Sequence, residues 1–223
     1  ENFMQALNPG LYPKVIRAWK AVDHAQLAEL YTFIFRWFVI IGLPAVAGLG
    51  VLARPILATV ATDVVATRGR LLLPAMAFAF LVGGFNSPLV FIINAAEHNE
   101  QLSISYAAAA ASNVVLNLVF IPRFGTAAAA VTTMASYTFI TAYLVRWTRS
   151  RVAFSLPLAT TLRSLLATGV MVFMLHRVVP PFRFPVMLAV YPLVGATTYF
   201  ATMFVVGGIR REELRNVYGV LTG

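Results

Sequence analysis

The chain has 223 residues, 60% of them hydrophobic and 11% charged, with a formal net charge of +9 and no cysteine. Its mean hydropathy is +0.80, whereas a soluble domain carries roughly 25% charged residues, so the class is integral membrane protein. The absence of cysteine excludes disulfide frameworks, thiol catalysis and cysteine zinc sites. The cations sit in short segments between apolar runs, which marks topology beside anionic lipid and argues against a nucleic-acid partner.

Residues 1–29 hold Asn8-Pro9-Gly10 and Tyr12-Pro13, then Lys14, Arg17 and Lys20. They read as the end of a preceding helix, a turn, and a short basic amphipathic helix at the cytoplasmic interface. Trp19 and Tyr31 suit the headgroup layer. Lys14, Arg17 and Lys20 fall three apart and share a face; fixing orientation is the plainer role for that face and recruiting phosphate the sharper one. The sequence opens on Glu1 without a methionine or a signal-peptide layout, so a piece of a longer protein, lacking an N-terminal portion, is expected.

Residues 30–207 hold six apolar spans, at about 31–53, 70–95, 102–122, 125–146, 156–178 and 185–207, each near the roughly 20 residues that a bilayer demands. Connections are short and no strand-type alternation is sustained, so the expected fold is an all-α polytopic bundle of antiparallel neighbours. Pro44, in GLPAVAGLG, predicts a kink in the first span. Gly83, Gly84, Asn86, Ser87 and Pro88 predict a break at mid-depth in the second, because Pro88 lacks a donor and collides with the Gly84 carbonyl. Pro122 and Gly125 end the third span in a turn, and the small side chains of Ala127 to Ala130 open the fourth. Residues 208–223 form a tail in which Leu214, Val217 and Leu221 share a face, expected as a cytoplasmic amphipathic helix.

With the N-terminus inside, the inner segments hold Lys14, Arg17, Lys20, Arg146, Arg149, Arg151, Arg210, Arg211 and Arg215. The outer segments hold Arg54, Arg68, Arg70, Arg123, Arg177 and Arg183. The excess places both termini in the cytoplasm. The segment around Glu97 and Glu100 runs against that bias.

Covalent chemistry has little support. His24, His98 and His176 lack metal-ligand spacing, no acidic pair of the DxD kind occurs, and no phosphate-cradling glycine loop is present. No cofactor or metal is expected. What remains is polar groups at membrane depth, which are costly and mark function by default. Arg36 and Arg163 sit at comparable depth in the first and fifth spans. Each either snorkels to the inner headgroups or faces a cavity and offers a cation to a phosphate. Asn86 and Ser87 lie at the break in the second span, where irregular backbone is either packed against neighbours or lines water. His176 is read as interfacial, and Asn94, Glu97 and Asn99 as the inner turn between spans two and three. Asn113 and Asn117 are read as hydrogen-bonding glue between helices.

The stretch Asn117-Leu118-Val119-Phe120-Ile121-Pro122-Arg123-Phe124-Gly125, followed by Thr126 and four alanines, resembles the signature region in the C-terminal half of polysaccharide flippases. That family lies within the multidrug/oligosaccharidyl-lipid/polysaccharide exporter superfamily. The Leu11-Tyr12-Pro13 turn with its basic helix, the GLPAVAGLGVLARPIL pattern, the polar turn near Glu97 and the amphipathic tail extend the resemblance over most of the chain. It departs in two places: Ala127 stands where glycine is usual, and Glu97-His98-Asn99 where Gly-Lys is common.

The resemblance implies two helical lobes around a hydrophilic cavity, with this chain supplying most of the C-terminal lobe. It implies a transporter, not an enzyme, that moves a lipid-linked (polyprenyl diphosphate) oligosaccharide across the cytoplasmic (inner) membrane by alternating access. The product would feed cell-surface polysaccharide such as O-antigen or exopolysaccharide, with polymerase and assembly proteins as partners. Arg36, Asn86, Ser87 and Arg163 become the candidate substrate contacts. Pro44, Gly83, Gly84 and Pro88 become the hinge, and Asn117, Pro122 and Gly125 the structural turn. The alternatives are a multidrug or cation exporter of the same superfamily, which calls for a deep acidic residue absent from these spans, and a non-transporting scaffold of a polysaccharide-assembly complex. A polyprenyl-phosphate glycosyltransferase comes last, for want of acidic pairs.

Overall fold

The computed structural model describes residues 12–60, 69, 72–125, 127–177 and 186–209. The expected tail beyond 209, the Asp63–Arg70 connection apart from Gly69, and the start of the chain through Leu11 lie outside the described residues. Within them the chain is helical and without strands: α1 (12–20), α2 (His24–Val60), α3 (Leu72–Gly84), α4 (Asn86–Ala95), α5 (Asn99–Phe124), α6 (Ala127–Arg149), α7 (Leu158–Arg177) and α8 (Val186–Val205). Six of these segments, counting α3 and α4 as one, are long and apolar enough to cross a membrane. The expected all-α polytopic bundle is what the chain forms.

Helix ends follow local chemistry. Asp23 accepts the Gln26 N–H at 2.9 Å and caps α2, satisfying a donor the first turn leaves open. That cap starts α2 at His24, ahead of the apolar run expected from 31, and the helix continues past Arg54-Pro55 to Val60. Pro122 lies within α5 rather than ending it; a proline in the last turn costs one ladder bond, at the Leu118 carbonyl. The stop is Gly125, at φ 68 and ψ −163, a region open essentially to glycine alone.

The second span divides at Phe85, between α3 and α4, where the Phe85 N–H reaches Val82 O at 3.2 Å. Gly83 there admits a neighbour: a Cβ would stand 2.9 Å from the Tyr137 ring. The α4–α5 turn closes with His98 N–H to Ile93 O and Glu97 N–H to Asn94 O, both 3.1 Å. This is the paired bonding of a Schellman cap, and Glu97 holds its left-handed position at φ 59.

The chain divides into two compact units. One takes residues 1–35 and 75–156, the other 36–74 and 157–223. In the first unit, Leu27, Tyr31 and Phe35 of α2 pack with Leu89, Ile92 and Ile93 of α4, Ile140 and Leu144 of α6, and Phe154. The Tyr31 hydroxyl donates to the Pro88 carbonyl. In the second unit, Ile40 and Leu52 of α2 pack with Ala167, Met171 and Leu175 of α7 and Tyr191, Tyr199 and Met203 of α8.

Candidate functional site

The first unit carries a cleft of about 1160 Å3. One wall is a stripe of α6 formed by Thr138, Thr141, Ala142, Val145, Arg146 and Arg149. These positions recur at three- and four-residue intervals and therefore form one helix face. Val82 and Phe85, at the break in the second span, line it as well, with Tyr143, Trp147, Ser150 and Leu156. The lining runs from hydroxyls beside the break to two guanidinium groups at the end of α6. No carboxylate is among these described lining residues. Tyr143 donates to Gln101 Oε1 at 2.6 Å and ties α6 to α5 beside the cleft.

Asn86 is buried in the break, and the Thr141 hydroxyl lies 2.8 Å from its Oδ1 and 3.2 Å from Val82 O. A threonine hydroxyl has one proton, so it serves one of these acceptors at a time and ties α6 to the loosened turn. Ser87 is half-buried beside it, in the first turn of α4. Asn86 thus stands behind the lining of the cleft, with Thr141 as the polar group between, and neither Asn86 nor Ser87 is among the described lining residues.

Arg36 and Arg163 are placed differently. Both belong to the second unit and turn to the end of α8. Arg36 Nη2 donates to Gly208 O at 2.9 Å, and Arg163 Nη1 donates to Gly207 O at 2.9 Å. Gly207 has φ 65, and the Gly208 N–H bonds back to Met203 O at 2.8 Å. The two cations therefore cap a helix C-terminus, where the macrodipole and open carbonyls favour positive charge.

Pro44 has a partner of its own kind. Without an N–H it leaves the Ile40 carbonyl without its ladder donor. The buried Tyr199 hydroxyl donates to Ile40 O at 2.7 Å and meets Ser164 Oγ at 2.7 Å. The signature residues link α5 to α6. Asn117 Nδ2 donates to Asn113 Oδ1 at 2.9 Å, and Thr132 Oγ1 donates to Asn117 Oδ1 at 2.5 Å. Pro122 and Gly125 are exposed at that end of the hairpin.

Sequence reading treated Arg146 and Arg149 only as topology markers. The signal for more was present: extending the α6 face through Thr138 and Thr141 by helical steps reaches both. Among the described residues no cluster of His, Cys, Asp and Glu could hold a metal ion.

No protein-family model matches the chain, and no curated protein sequence matches it. Its fold is similar to a solved structure described as "Lipid II flippase MurJ, inward closed conformation", with a TM-score of 0.72 and 16% sequence identity. The similarity covers 88% of this chain and 42% of that one, so the chain spans less than half the length of the flippase it matches. At this identity the likeness is one of fold: an all-α membrane bundle corresponding to part of a flippase.

Proposed function

We propose that this chain forms one lobe of a flippase-type transporter that moves a lipid-linked saccharide across the membrane by alternating access. The observation that carries the reading is the cleft of the first unit, a polar and cationic stripe in an otherwise apolar bundle. Exposed polar groups at membrane depth call for water or a polar cargo. Arg146 and Arg149 offer guanidinium groups to a diphosphate, whose oxygens they match in charge and geometry. The hydroxyl oxygens of Thr138 and Thr141, whose protons serve Met134 O and the Asn86 turn, accept hydrogen bonds from the sugars, and the polyprenyl tail stays in lipid. Arg36 and Arg163 hold the end of α8 in this reading and do not contact cargo. The loosened turn at Phe85, backed by Asn86 and Thr141, supplies a hinge.

The fold likeness to a lipid II flippase supports a lipid-linked substrate, and the signature around Asn117–Gly125 supports the polysaccharide branch. The proposed cargo is therefore a polyprenyl-diphosphate oligosaccharide destined for cell-surface polysaccharide. Both described termini lie on the cytoplasmic side of the cytoplasmic membrane, and no covalent chemistry is involved. A cation exporter fits less well, because the described cleft lining holds two arginines and no acid.

The test is translocation of a fluorescent lipid-linked oligosaccharide by the full-length protein in proteoliposomes. Arg146→Ala with Arg149→Ala is expected to lower the rate at least tenfold with the protein still folded. A wild-type rate from the folded double variant would overturn the assignment of the cleft.

A further inference from the structure

A second basic feature lies in the first unit, at the junction of α1 and α2. A cavity of about 380 Å3 is lined by Lys14 and Arg17 of α1 and by Gln26 and Leu30 of α2. Lys14 and Arg17 are one helical turn apart, so both extend from the same side of α1. The adjoining side is anchored: Val15 and Ala18 are buried in the core of the unit, and the Tyr12 ring meets the Phe91 ring edge-on at 5.2 Å. The cations are therefore held in place by packing of their helix.

The nearest carboxylate along the chain is already engaged. Asp23 accepts the Gln26 N–H as the cap of α2, and neither it nor Glu29 lines the cavity. Among the described residues Arg17 donates only through Nε, to the Pro13 carbonyl at 3.4 Å, which leaves its terminal nitrogens for a ligand. A cavity with two cations, one carboxamide donor, no acid among its described lining and an apolar floor at Leu30 fits an anion joined to an apolar body. Phosphate is the anion that matches a guanidinium and an ammonium together.

We propose that Lys14, Arg17 and Gln26 form a binding site for the phosphate of an anionic phospholipid headgroup, with Leu30 against the start of its glycerol and chains. The source is bilayer lipid rather than free phosphate because the site is open, lies on an amphipathic helix with aromatic residues, and has an apolar side. Such a helix rests in the headgroup layer. The site would hold α1 in that layer whatever the chain transports.

The experiment is native mass spectrometry of the full chain in neutral detergent, titrated with phosphatidylglycerol or phosphatidylcholine. Phosphatidylglycerol is expected to bind at least tenfold more tightly. Each cation near a membrane surface changes anionic-lipid affinity by roughly 5-fold, so Lys14→Gln with Arg17→Gln should lower phosphatidylglycerol affinity by about 25-fold. The charge-matched pair Lys20→Gln with Arg151→Gln lies outside the cavity and should change it less than threefold. An equal loss in both pairs would overturn the site in favour of diffuse attraction. Displacement of the lipid by millimolar inorganic phosphate or pyrophosphate would assign the cavity to free phosphate and overturn the lipid commitment.

Discussion

The link between Pro44 and Tyr199 can be tested as a coupled pair. Tyr199→Phe removes only a hydroxyl, but it leaves Ile40 O and Ser164 Oγ without the group that now meets both at 2.7 Å. Tyr199 and Ser164 have no solvent exposure. A buried polar group left unsatisfied costs about 1–3 kcal/mol, while hydrogen bonds between membrane helices average about 0.6 and reach about 1.7 kcal/mol. The two ranges overlap near 1.5 kcal/mol, the expected loss. In a Pro44→Ala background the new backbone N–H at that position takes the Ile40 carbonyl, and only Ser164 is left wanting. Tyr199→Phe should then cost about 0.5 kcal/mol, a coupling of about 1 kcal/mol in a double-mutant cycle. The assay is reversible unfolding in mixed micelles of neutral detergent and dodecyl sulfate, followed by tryptophan fluorescence. An unchanged cost of Tyr199→Phe in the Pro44→Ala background would refute the argument that the hydroxyl replaces the missing proline donor.

Two further predictions concern helix ends. Glu97 occupies the left-handed position of a Schellman cap, where an L side chain costs roughly 1–2 kcal/mol. Glu97→Gly should therefore stabilise the protein by about 1 kcal/mol in the same unfolding assay, and no gain would argue against the positive φ. Arg36→Gln and Arg163→Gln remove charges from the end of α8, where a cation is worth about 0.3–1 kcal/mol when exposed and up to about 2 kcal/mol when partly buried. The half-buried Arg36 should cost about 1–2 kcal/mol and the exposed Arg163 about 0.5 kcal/mol, each leaving substrate affinity in the folded fraction within twofold. A loss of affinity with unchanged stability would return these arginines to the transport path.

The fold was readable because lipid imposes one demand on every span: continuous apolar residues in a helix that satisfies its own backbone. Details that depend on a single side chain were less readable. Apolar run length marked the first span from 31, but the polar Asp23 cap carries the helix back to His24. Proline marked the end of the third span, yet one missing ladder bond at Pro122 is tolerated and the Gly125 backbone sets the stop. Arg36 and Arg163 stood out in the sequence as cations at comparable depth. Their acceptors, Gly208 and Gly207, lie 172 and 44 residues away in the chain, beyond what local pattern can reveal. The cleft was half readable: Asn86 and the glycine–proline break stood out, whereas Arg146 and Arg149 looked like ordinary interface charges until the α6 stripe joined them to Thr141.

Water access to that stripe tests the central claim most directly, and the cysteine-free sequence gives a clean background. Single changes Thr138→Cys and Ala142→Cys on the cleft face, and Ile140→Cys on the buried face of the same helix, would be exposed to a membrane-impermeant thiol reagent in the full-length protein. The account predicts modification at 138 and 142, slowed by a polyprenyl-diphosphate oligosaccharide, and none at 140. Silence at both cleft positions, in protein that folds and inserts, would mean that the stripe faces lipid or packed protein, and would contradict a hydrated path for a saccharide along α6.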